Sequence, residues 1–245
     1  MHPLLPAPGD RPAPELDDNR LADLYAYPAV LTAPYVRVNF VSSADGAAAV
    51  EGRSGGLGSP ADRRVFRMLR ELAEVVLVGA GTVRAEDYRG TRRPTRGRDT
   101  FPPVAIVTGS ADLDPESRCF TDTHVPPIVL TGAGAPRARR DRLAAAGADV
   151  VVLERLDPES VLAELGRRGL HRVLCEGGPS LFGDLVTADA VDELCLTLAP
   201  LLAGGAATRI ARGVPGTPPR PLQLAGALHE DGTLLLRYTR AAPIE

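Results

Sequence analysis

The sequence predicts an α/β protein whose central sheet is mostly parallel, flanked by helices and completed by antiparallel strands near the C-terminus. Short apolar runs have the composition of strands buried on both faces of a parallel sheet. These runs span residues 75–79, 103–108, 127–131, 149–153 and 172–175. Helical stretches or long loops separate the runs, as in folds that alternate strands and helices. Asp231-Gly232 then lies between two apolar runs over 222–239, which is the pattern of a β-hairpin.

The N-terminal region predicts an arm that precedes a single domain. Five prolines occur within the first 14 residues, so residues 1–15 are expected to form a flexible or extended arm. The domain is expected to cover residues 16–245. It begins with a short helical segment near 16–25 and a strand at 35–42, in which β-branched and aromatic residues occupy nearly alternate positions.

Start signals mark the longer helices. Ser59 can cap a helix, Pro60 suits its first position, and Asp62 occupies the place of a capping-box acid. Four apolar residues then follow at the spacing of a one-faced amphipathic helix: Val65, Met68, Leu69 and Leu72. Further helices are expected near 136–146 and 158–168, and a last buried strand over 193–202.

Composition excludes several classes of protein. Hydrophobic residues make up 44% of the 245 residues, which is typical of a globular protein. Aromatic residues account for 4% and the net charge is -3, so neither a base-stacking surface nor a basic field for nucleic acid is expected. All 28 basic residues are arginines, which excludes lysine-based chemistry.

The cysteines and the apolar runs indicate the compartment. The three cysteines, Cys119, Cys175 and Cys195, are widely spaced and show no C-x-x-C pattern, so neither a disulfide framework nor a metal site is expected. No run has the length of a membrane span, and the N-terminus lacks the pattern of a signal peptide. We therefore expect a cytoplasmic protein that uses neither a metal nor a membrane.

Two glycine-rich turns follow predicted buried strands. EGGPSLFG at 176–183 follows one strand, and GAGT at 79–82 follows another. Backbone N–H groups at such turns can bind anions, because the first amides of a helix lack partners. If the turns face each other across a diphosphate, the ligand is a dinucleotide. The alternative is that the glycines merely turn the chain, which is common for glycine.

Two acids beside these turns are candidates for the site. Glu176 ends a predicted buried strand, where ligands bind in open α/β sheets. Asp45 follows the first predicted strand of the domain. Both acids are also explained as cap or turn residues. The arginines of the helix after Ser59 are explained by a solvated face; they are Arg63, Arg64, Arg67 and Arg70.

Five segments, taken in order, resemble the pyrimidine reductases of the riboflavin pathway. They are VNFVSSADGAAA, SPADRRVFRMLREL, VVLVGAGTVRAED, RVLCEGGPSLFGDLV and VDELCLTLAPLLAGG. The likeness runs from Tyr35 to Tyr238 and implies a fold like that of dihydrofolate reductase. It also implies an NADPH-dependent enzyme that reduces 5-amino-6-(5-phosphoribosylamino)uracil. Hydride would reach C1′ of the sugar, and the ribose would open to ribitol.

The resemblance assigns roles to residues at the matching positions. The cofactor would contact Val41, Gly56, Gly79, Gly81, Thr82, Glu86, Ser110, Gly177, Gly178, Pro179, Ser180, Leu181, Phe182 and Gly183. The phosphorylated pyrimidine would contact Ser54, Arg70, Arg93 and Glu176. Asp45 and Glu176 would be catalytic, with Asp45 assisting a proton transfer. Members of the family are usually dimers, so the resemblance also implies a homodimer paired through the terminal strands.

The sequence departs from the family pattern at three points. A-E-D-Y at 85–88 replaces the usual A-D-D/N-P, which moves one cofactor contact to Glu86. Gly56 stands where many relatives have Trp. The H-x-E and P-C-x-x-C motifs of the deaminase domain that is often fused to these reductases do not occur in the 245 residues.

Two other functions remain open. One is reduction of a dihydropterin or dihydrofolate on the same scaffold, because one fold carries different activities. The other is a non-catalytic paralogue that binds NADPH without turning over a substrate. The presence of Asp45, Arg70, Arg93 and Glu176 together argues against the paralogue, because a cofactor sensor would not need them.

Overall fold

One mixed sheet dominates the computed structural model, which describes residues 1–5, 15–96, 99–213 and 218–241. In these residues the strands are β1 His2–Leu5, β2 Tyr35–Ser43, β3 Val75–Gly79, β4 Val104–Val107, β5 Ile128–Gly132, β6 Asp149–Leu153, β7 Arg172–Cys175, β8 Glu193–Ala199, β9 Leu222–Glu230 and β10 Thr233–Arg240. The helices are α1 Asp18–Leu24, α2 Pro60–Leu72, α3 Ala80–Ala85, α4 Arg118–Thr121, α5 Arg137–Ala145, α6 Pro158–Arg167 and α7 Pro179–Thr187.

The strand order is β1-β9-β10-β8-β2-β7-β3-β4-β5-β6. Every pairing from β8 to β6 is parallel, whereas β10 runs antiparallel to β8 and β9. The predicted sheet, parallel with antiparallel C-terminal strands, is therefore confirmed. The predicted hairpin turn joins β9 to β10, where Asp231 and Gly232 both have positive φ, as a two-residue hairpin turn requires.

The start signals of α2 and α6 act as predicted. The Ser59 hydroxyl accepts a hydrogen bond from the Asp62 N–H at 3.1 Å, and Pro60 is the first residue of α2. At α6 the Asp157 carboxylate accepts from the Ser160 N–H at 2.9 Å. Each cap supplies an acceptor for an amide that the helix itself leaves without a partner.

The sheet is buried on both faces. Val76 and Val78 of β3 lie in one core with α1 and α2, whereas Val75 and Leu77 lie in the opposite core with α6 and α7. Successive side chains of a strand point to opposite faces, so only a strand covered on both sides can be apolar throughout. The continuous apolar runs in the sequence have this cause.

The structure differs from the predictions at two places. Residues His2–Leu5 of the expected arm form β1, which pairs antiparallel with β9. An edge strand tolerates Pro3, so proline content alone did not distinguish this strand from an arm. Residues 6–14 lie outside the described part. The strand predicted over 193–202 ends at Ala199, before Pro200. Among the described residues, no helix combines the length and apolar character of a membrane span.

A buried ion cluster joins the parallel and antiparallel halves of the sheet. Arg37 of β2 and Glu193 of β8 are both 0% exposed, and Arg37 Nε lies 2.7 Å from Glu193 Oε1. Arg237 of β10 donates two hydrogen bonds of 3.0 Å to the same carboxylate. The Tyr27 ring covers the Arg37 guanidinium at 4.0 Å. Burial alone raises the pKa of Glu193, but the two guanidiniums bring it below its ordinary value.

We expect Glu193→Gln to lower the free energy of unfolding by about 3–5 kcal/mol, because Arg37 and Arg237 would be left near each other without a counter-charge. Denaturant unfolding measures this difference. Asp141→Asn is the control, because it removes the partner of Arg137 in an exposed pair on α5, and its midpoint should match that of the wild type. Equal midpoints for all three proteins would contradict the structural role of the cluster.

Candidate active site

A cleft of about 930 Å³ lies at the carboxyl ends of the parallel strands. Its lining includes Asn39–Val41 of β2, Gly79 at the end of β3, Thr108–Ser110 after β4 and Glu176 after β7. Ligands of open α/β sheets bind at this edge, in the crevice between strand ends. The cleft is therefore the candidate active site.

The two glycine-rich turns meet in this cleft. The Gly79 N–H donates a hydrogen bond of 2.7 Å to the Gly177 carbonyl. A Cβ atom on Gly178 would lie 2.7 Å from Thr82 Oγ1, and one on Gly79 would lie 3.5 Å from the Gly178 nitrogen. The turns are thus side by side, the arrangement that a ligand bridging both of them needs. Their close approach depends on the missing side chain at Gly178.

Most of the predicted site residues line the cleft. They are Val41, Ser54, Arg70, Gly79, Gly81, Thr82, Glu86, Ser110, Glu176, Gly178, Pro179, Ser180 and Leu181. Six others are not among the lining residues: Asp45, Gly56, Arg93, Gly177, Phe182 and Gly183.

Three residues of the EGGPSLFG motif pack inside the protein instead of lining the cleft. Phe182 is buried and stacks on Phe40, with ring centroids 5.2 Å apart. A Cβ on Gly183 would lie 1.8 Å from the Arg212 carbonyl oxygen, and one on Gly177 would lie 2.6 Å from the Phe40 ring. Successive residues of a helix point in different directions, so only part of α7 can face a ligand. Gly177, Phe182 and Gly183 thus lie outside the cleft lining, and their cofactor contacts stay predictions.

Asp45 lies in a separate hollow with Gly204 and Gly205. Its carboxylate accepts hydrogen bonds from the Ser43 hydroxyl, from the Ala203 N–H at 3.1 Å and from the Gly204 N–H at 2.8 Å. These bonds, the one from Ser43 first, lower the pKa of Asp45 to about 2. The carboxylate is thus ionised at neutral pH and holds the loop after β8. Asp45 is not among the residues that line the cleft, and its role beside the reacting centre stays a prediction.

Arg93, Gly56 and Glu86 each have a neighbour within the protein. Arg93 is exposed and pairs with Asp99, at 3.2 Å from Nη2 to Oδ1. Gly56 faces Val50, whose Cβ would lie 3.3 Å from a Cβ on the glycine. Glu86 lines the cleft, but its carboxylate accepts a hydrogen bond of 2.8 Å from the Ser54 N–H. It therefore fixes the turn that leads into α2.

The floor of the cleft holds a unit of three polar side chains: Arg70, Glu176 and Tyr88. Arg70, in the last turn of α2, donates from Nε and Nη2 to the two carboxylate oxygens of Glu176, each at 2.7 Å. The Tyr88 hydroxyl accepts from Arg70 Nη2 at 2.9 Å and donates to Glu176 Oε2. The guanidinium lies 4.6 Å from the Phe66 ring and 5.3 Å from the Tyr88 ring.

Burial and charge fix the protonation of this unit. Burial first, and then the negative charge of Glu176, raise the pKa of the Tyr88 phenol well above its ordinary value. Burial alone lowers the pKa of a guanidinium, but Glu176 and Tyr88 raise that of Arg70 above its ordinary value. At neutral pH the phenol is therefore a neutral donor and Arg70 a cation.

Sequence reasoning missed several residues of the cleft. Tyr88 is the most important, and its signal was present, because it is the residue that replaces the usual proline in A-E-D-Y. Arg63, which the sequence explains by a solvated helix face, also lines the cleft. The other missed lining residues with polar or aromatic side chains are Asn39, Phe40, Asp62, Phe66, Arg84, Asp87, Arg89, Thr108, Asp184, Thr208 and Arg212.

Neither a metal cluster nor a reactive thiol emerges from the described residues. Within them, no group of three or more His, Cys, Asp or Glu side chains could hold a metal ion. The three cysteines are free and buried, and burial raises the pKa of Cys119 to about 11 and that of Cys175 to about 12.

The family model described as RibD C-terminal domain matches residues 34–232. The riboflavin biosynthesis protein RibD of Bacillus amyloliquefaciens is 36% identical over 177 residues, which are 70% of this chain and 47% of that protein. The 2,5-diamino-6-ribosylamino-4(3H)-pyrimidinone 5′-phosphate reductase of Methanothermobacter thermautotrophicus is 31% identical over 175 residues, which are 70% of this chain and 80% of that enzyme.

The chain spans only part of several relatives. It covers about half of the Bacillus protein and 66% of the Aquifex aeolicus reductase, which is named for the same pyrimidinone. Among solved structures, a pyrimidine reductase-like protein from Corynebacterium diphtheriae superposes with a TM-score of 0.78 at 24% identity, covering 91% of this chain and 99% of that one. This likeness shows a shared fold.

Proposed function

The chain belongs to the RibD C-terminal domain family, and we propose that it reduces 5-amino-6-(5-phosphoribosylamino)uracil with NADPH. The ribosylamine ring would open by breaking its C1′–O4′ bond, NADPH would supply hydride to C1′ of the resulting imine, and a proton from solvent would complete the ribityl product. The observation that carries the proposal is the contact between the two glycine-rich turns, because it places two sets of backbone amides at one end of the cleft. The names of the relatives support a phosphorylated pyrimidine as substrate.

The residues of the cleft fit a dinucleotide. Gly178 caps the start of α7, a helix of 9 residues that begins at Pro179 and whose first amides lack partners within the helix. Gly79–Thr82 lie against them and line the same cleft. Diphosphate oxygens between the turns would accept hydrogen bonds from both. Gly178 suits this role because a side chain there would collide with Thr82.

The two ends of the cofactor have different neighbours along the cleft. Val41 on β2 suits the nicotinamide end, and Ser110 after β4 suits the adenosine end. Arg84 also lines the cleft, and its Nη1 donates to the Asp112 carbonyl at 2.9 Å, close in sequence to Ser110. A cation beside the adenosine favours a 2′-phosphate, which is the basis for NADPH over NADH.

The main contribution of the protein to the reaction is to position the substrate against the cofactor. When bound, NADPH supplies the hydride. The chain orients the pyrimidine between the nicotinamide end and the floor, where Ser54, Arg70 and Glu176 line the cleft. Fixing the sugar C1′ against the cofactor converts an encounter of two molecules into a step within one complex.

We expect NADPH oxidation with 5-amino-6-(5-phosphoribosylamino)uracil and a ribityl product identified by mass spectrometry. The 2,5-diamino-pyrimidinone phosphate and dihydrofolate are assayed in parallel. Turnover of the diamino compound alone would move the activity to the substrate named for the Methanothermobacter relative. Turnover of dihydrofolate alone, or cofactor binding without any turnover, would refute the proposal.

Gly178→Ala should raise the Kd for NADPH at least about tenfold, because the added methyl forces the two turns apart. Gly134→Ala is the matched control, since a Cβ there meets nothing within 4 Å and the residue is not in the cleft lining. Fluorescence titration measures both constants. An unchanged Kd in the Gly178 variant would mean that the diphosphate does not lie between the turns.

The homodimer remains a proposal. It is supported by a row of half-buried leucines on one sheet face, in which Leu234 pairs with Leu198 and Leu236 with Leu196. Leu222 and Leu224 are exposed nearby. The expected edge pairing is restricted, because β1 covers β9 at Ala227–His229. Light scattering should give twice the mass of the chain, and a monomer at micromolar concentration would exclude this assembly.

A further inference from the structure

We propose that Tyr88 is a positioning residue that locks Arg70 onto Glu176, so that this pair recognises the uncharged heterocycle of the substrate instead of its phosphate. The identity of the substrate rests on the proposed function, but the lock itself does not. The family resemblance implies a substrate contact for Arg70 and no role for Tyr88.

Glu176 already occupies the two parallel N–H groups of the Arg70 guanidinium. A guanidinium binds phosphate best through two parallel N–H groups on one edge. In Arg70 that edge consists of Nε and Nη2. Nε lies 2.7 Å from Glu176 Oε1, and Nη2 lies 2.7 Å from Glu176 Oε2. Tyr88 takes a further hydrogen bond from Nη2. A phosphate would have to displace a buried carboxylate to reach this edge.

The net charge of this three-residue unit also affects how strongly it attracts a phosphate. Arg70 carries a positive charge, Glu176 carries a negative charge, and the Tyr88 phenol is neutral. The three groups together have no net charge, so they attract a dianion less strongly than an unpaired guanidinium would. Because the Glu176 side chain is only 5% exposed and that of Arg70 is 22% exposed, water screens the pair poorly and its partners stay matched.

Arg70 and Glu176 retain polar atoms that can bind a ligand. Within the described part of the chain, the hydrogen bonds of Arg70 come from Nε and Nη2 and leave Nη1 for a ligand, and the Glu176 oxygens keep acceptor capacity. A donor beside an acceptor complements the edge of a heterocycle that carries carbonyl and N–H groups. Asn39 lines the same cleft and adds an amide that can both donate and accept.

Two exposed arginines of the cleft lining are candidates to bind the substrate phosphate. Arg63 and Arg89 line the cleft and are exposed, so they can turn toward a ligand at the mouth. Arg89 directly follows Tyr88, which ties the position of the phosphate to that of the heterocycle. Arg93 pairs with Asp99 outside the lining. We therefore assign the phosphate to the mouth, with Arg89 as its ligand.

The experiment compares Tyr88→Phe, Tyr27→Phe and Arg89→Gln on the phosphorylated substrate and on its dephosphorylated form. Tyr27→Phe is the matched control, because it also removes a buried hydroxyl, one that donates to the Val173 carbonyl at 3.2 Å. Tyr88→Phe should raise KM about tenfold for both forms, with kcat and the Kd for NADPH nearly unchanged. Arg89→Gln should raise KM for the phosphorylated form only.

A second readout is independent of turnover. The Nε–H of Arg70, observed by NMR and identified through Arg70→Gln, should exchange with water at least about tenfold faster in Tyr88→Phe than in the wild type or in Tyr27→Phe. Equal exchange in all three proteins would overturn the lock. An effect of Tyr88→Phe that vanishes with the dephosphorylated substrate would return the phosphate to Arg70 and overturn the assignment.

These outcomes separate the inference from the proposed function. If the wild-type protein turns over neither form of the pyrimidine, the proposed substrate is wrong, and the same three variants are compared for calorimetric binding of the heterocycle that is turned over. Faster exchange of the Arg70 Nε–H together with weaker binding of that heterocycle supports the inference. Faster exchange without weaker binding overturns it.

Discussion

The register between β3 and β7 determines the whole site. Leu77 pairs with Cys175, and beyond this pair the Glu176 N–H donates to the Leu77 carbonyl at 3.0 Å. The Gly79 N–H then reaches the Gly177 carbonyl, so the ladder continues into both turns. A shift of one residue would turn Glu176 to the opposite face of the sheet. The same few hydrogen bonds therefore place the two turns together and aim the carboxylate at Arg70.

The rotation of α2 about its own axis places further side chains of the site in the cleft. Val65, Met68 and Leu69 are buried, which fixes the rotation of the helix about its axis. The residues at one border of this buried stripe, Phe66 and Arg70, are four positions apart and hence neighbours on the helix surface. Both line the cleft. The rotation that buries the core thus also delivers an aromatic ring and a guanidinium to Glu176.

The limits of sequence reasoning follow from the same helix. Periodicity predicted the apolar face of α2, the buried strands and the hairpin, because these patterns depend on neighbours in the chain. The arginines of α2 looked alike, yet Arg64 binds the Leu16 carbonyl at 2.7 Å while Arg70 binds Glu176, which is 106 residues away. The hydroxyl of Tyr88 and the loop held by Asp45 also meet partners that no local pattern specifies.

Two Arg–Glu pairs in this protein have similar chemistry and different settings. Arg37 with Glu193 and Arg70 with Glu176 are both close pairs, and each guanidinium lies against a tyrosine ring. In the first pair both side chains are 0% exposed, and Arg37 Nη1 is buried with no hydrogen-bond partner among the described residues. No ligand can reach that atom, so the pair can only hold strands together. In the second pair the guanidinium borders the cleft, and its Nη1, which has no hydrogen bond to any described residue, can meet a ligand at little cost, since the carboxylate already compensates its charge. Access, and not the identity of the residues, separates a structural ion pair from one that can take part in recognition.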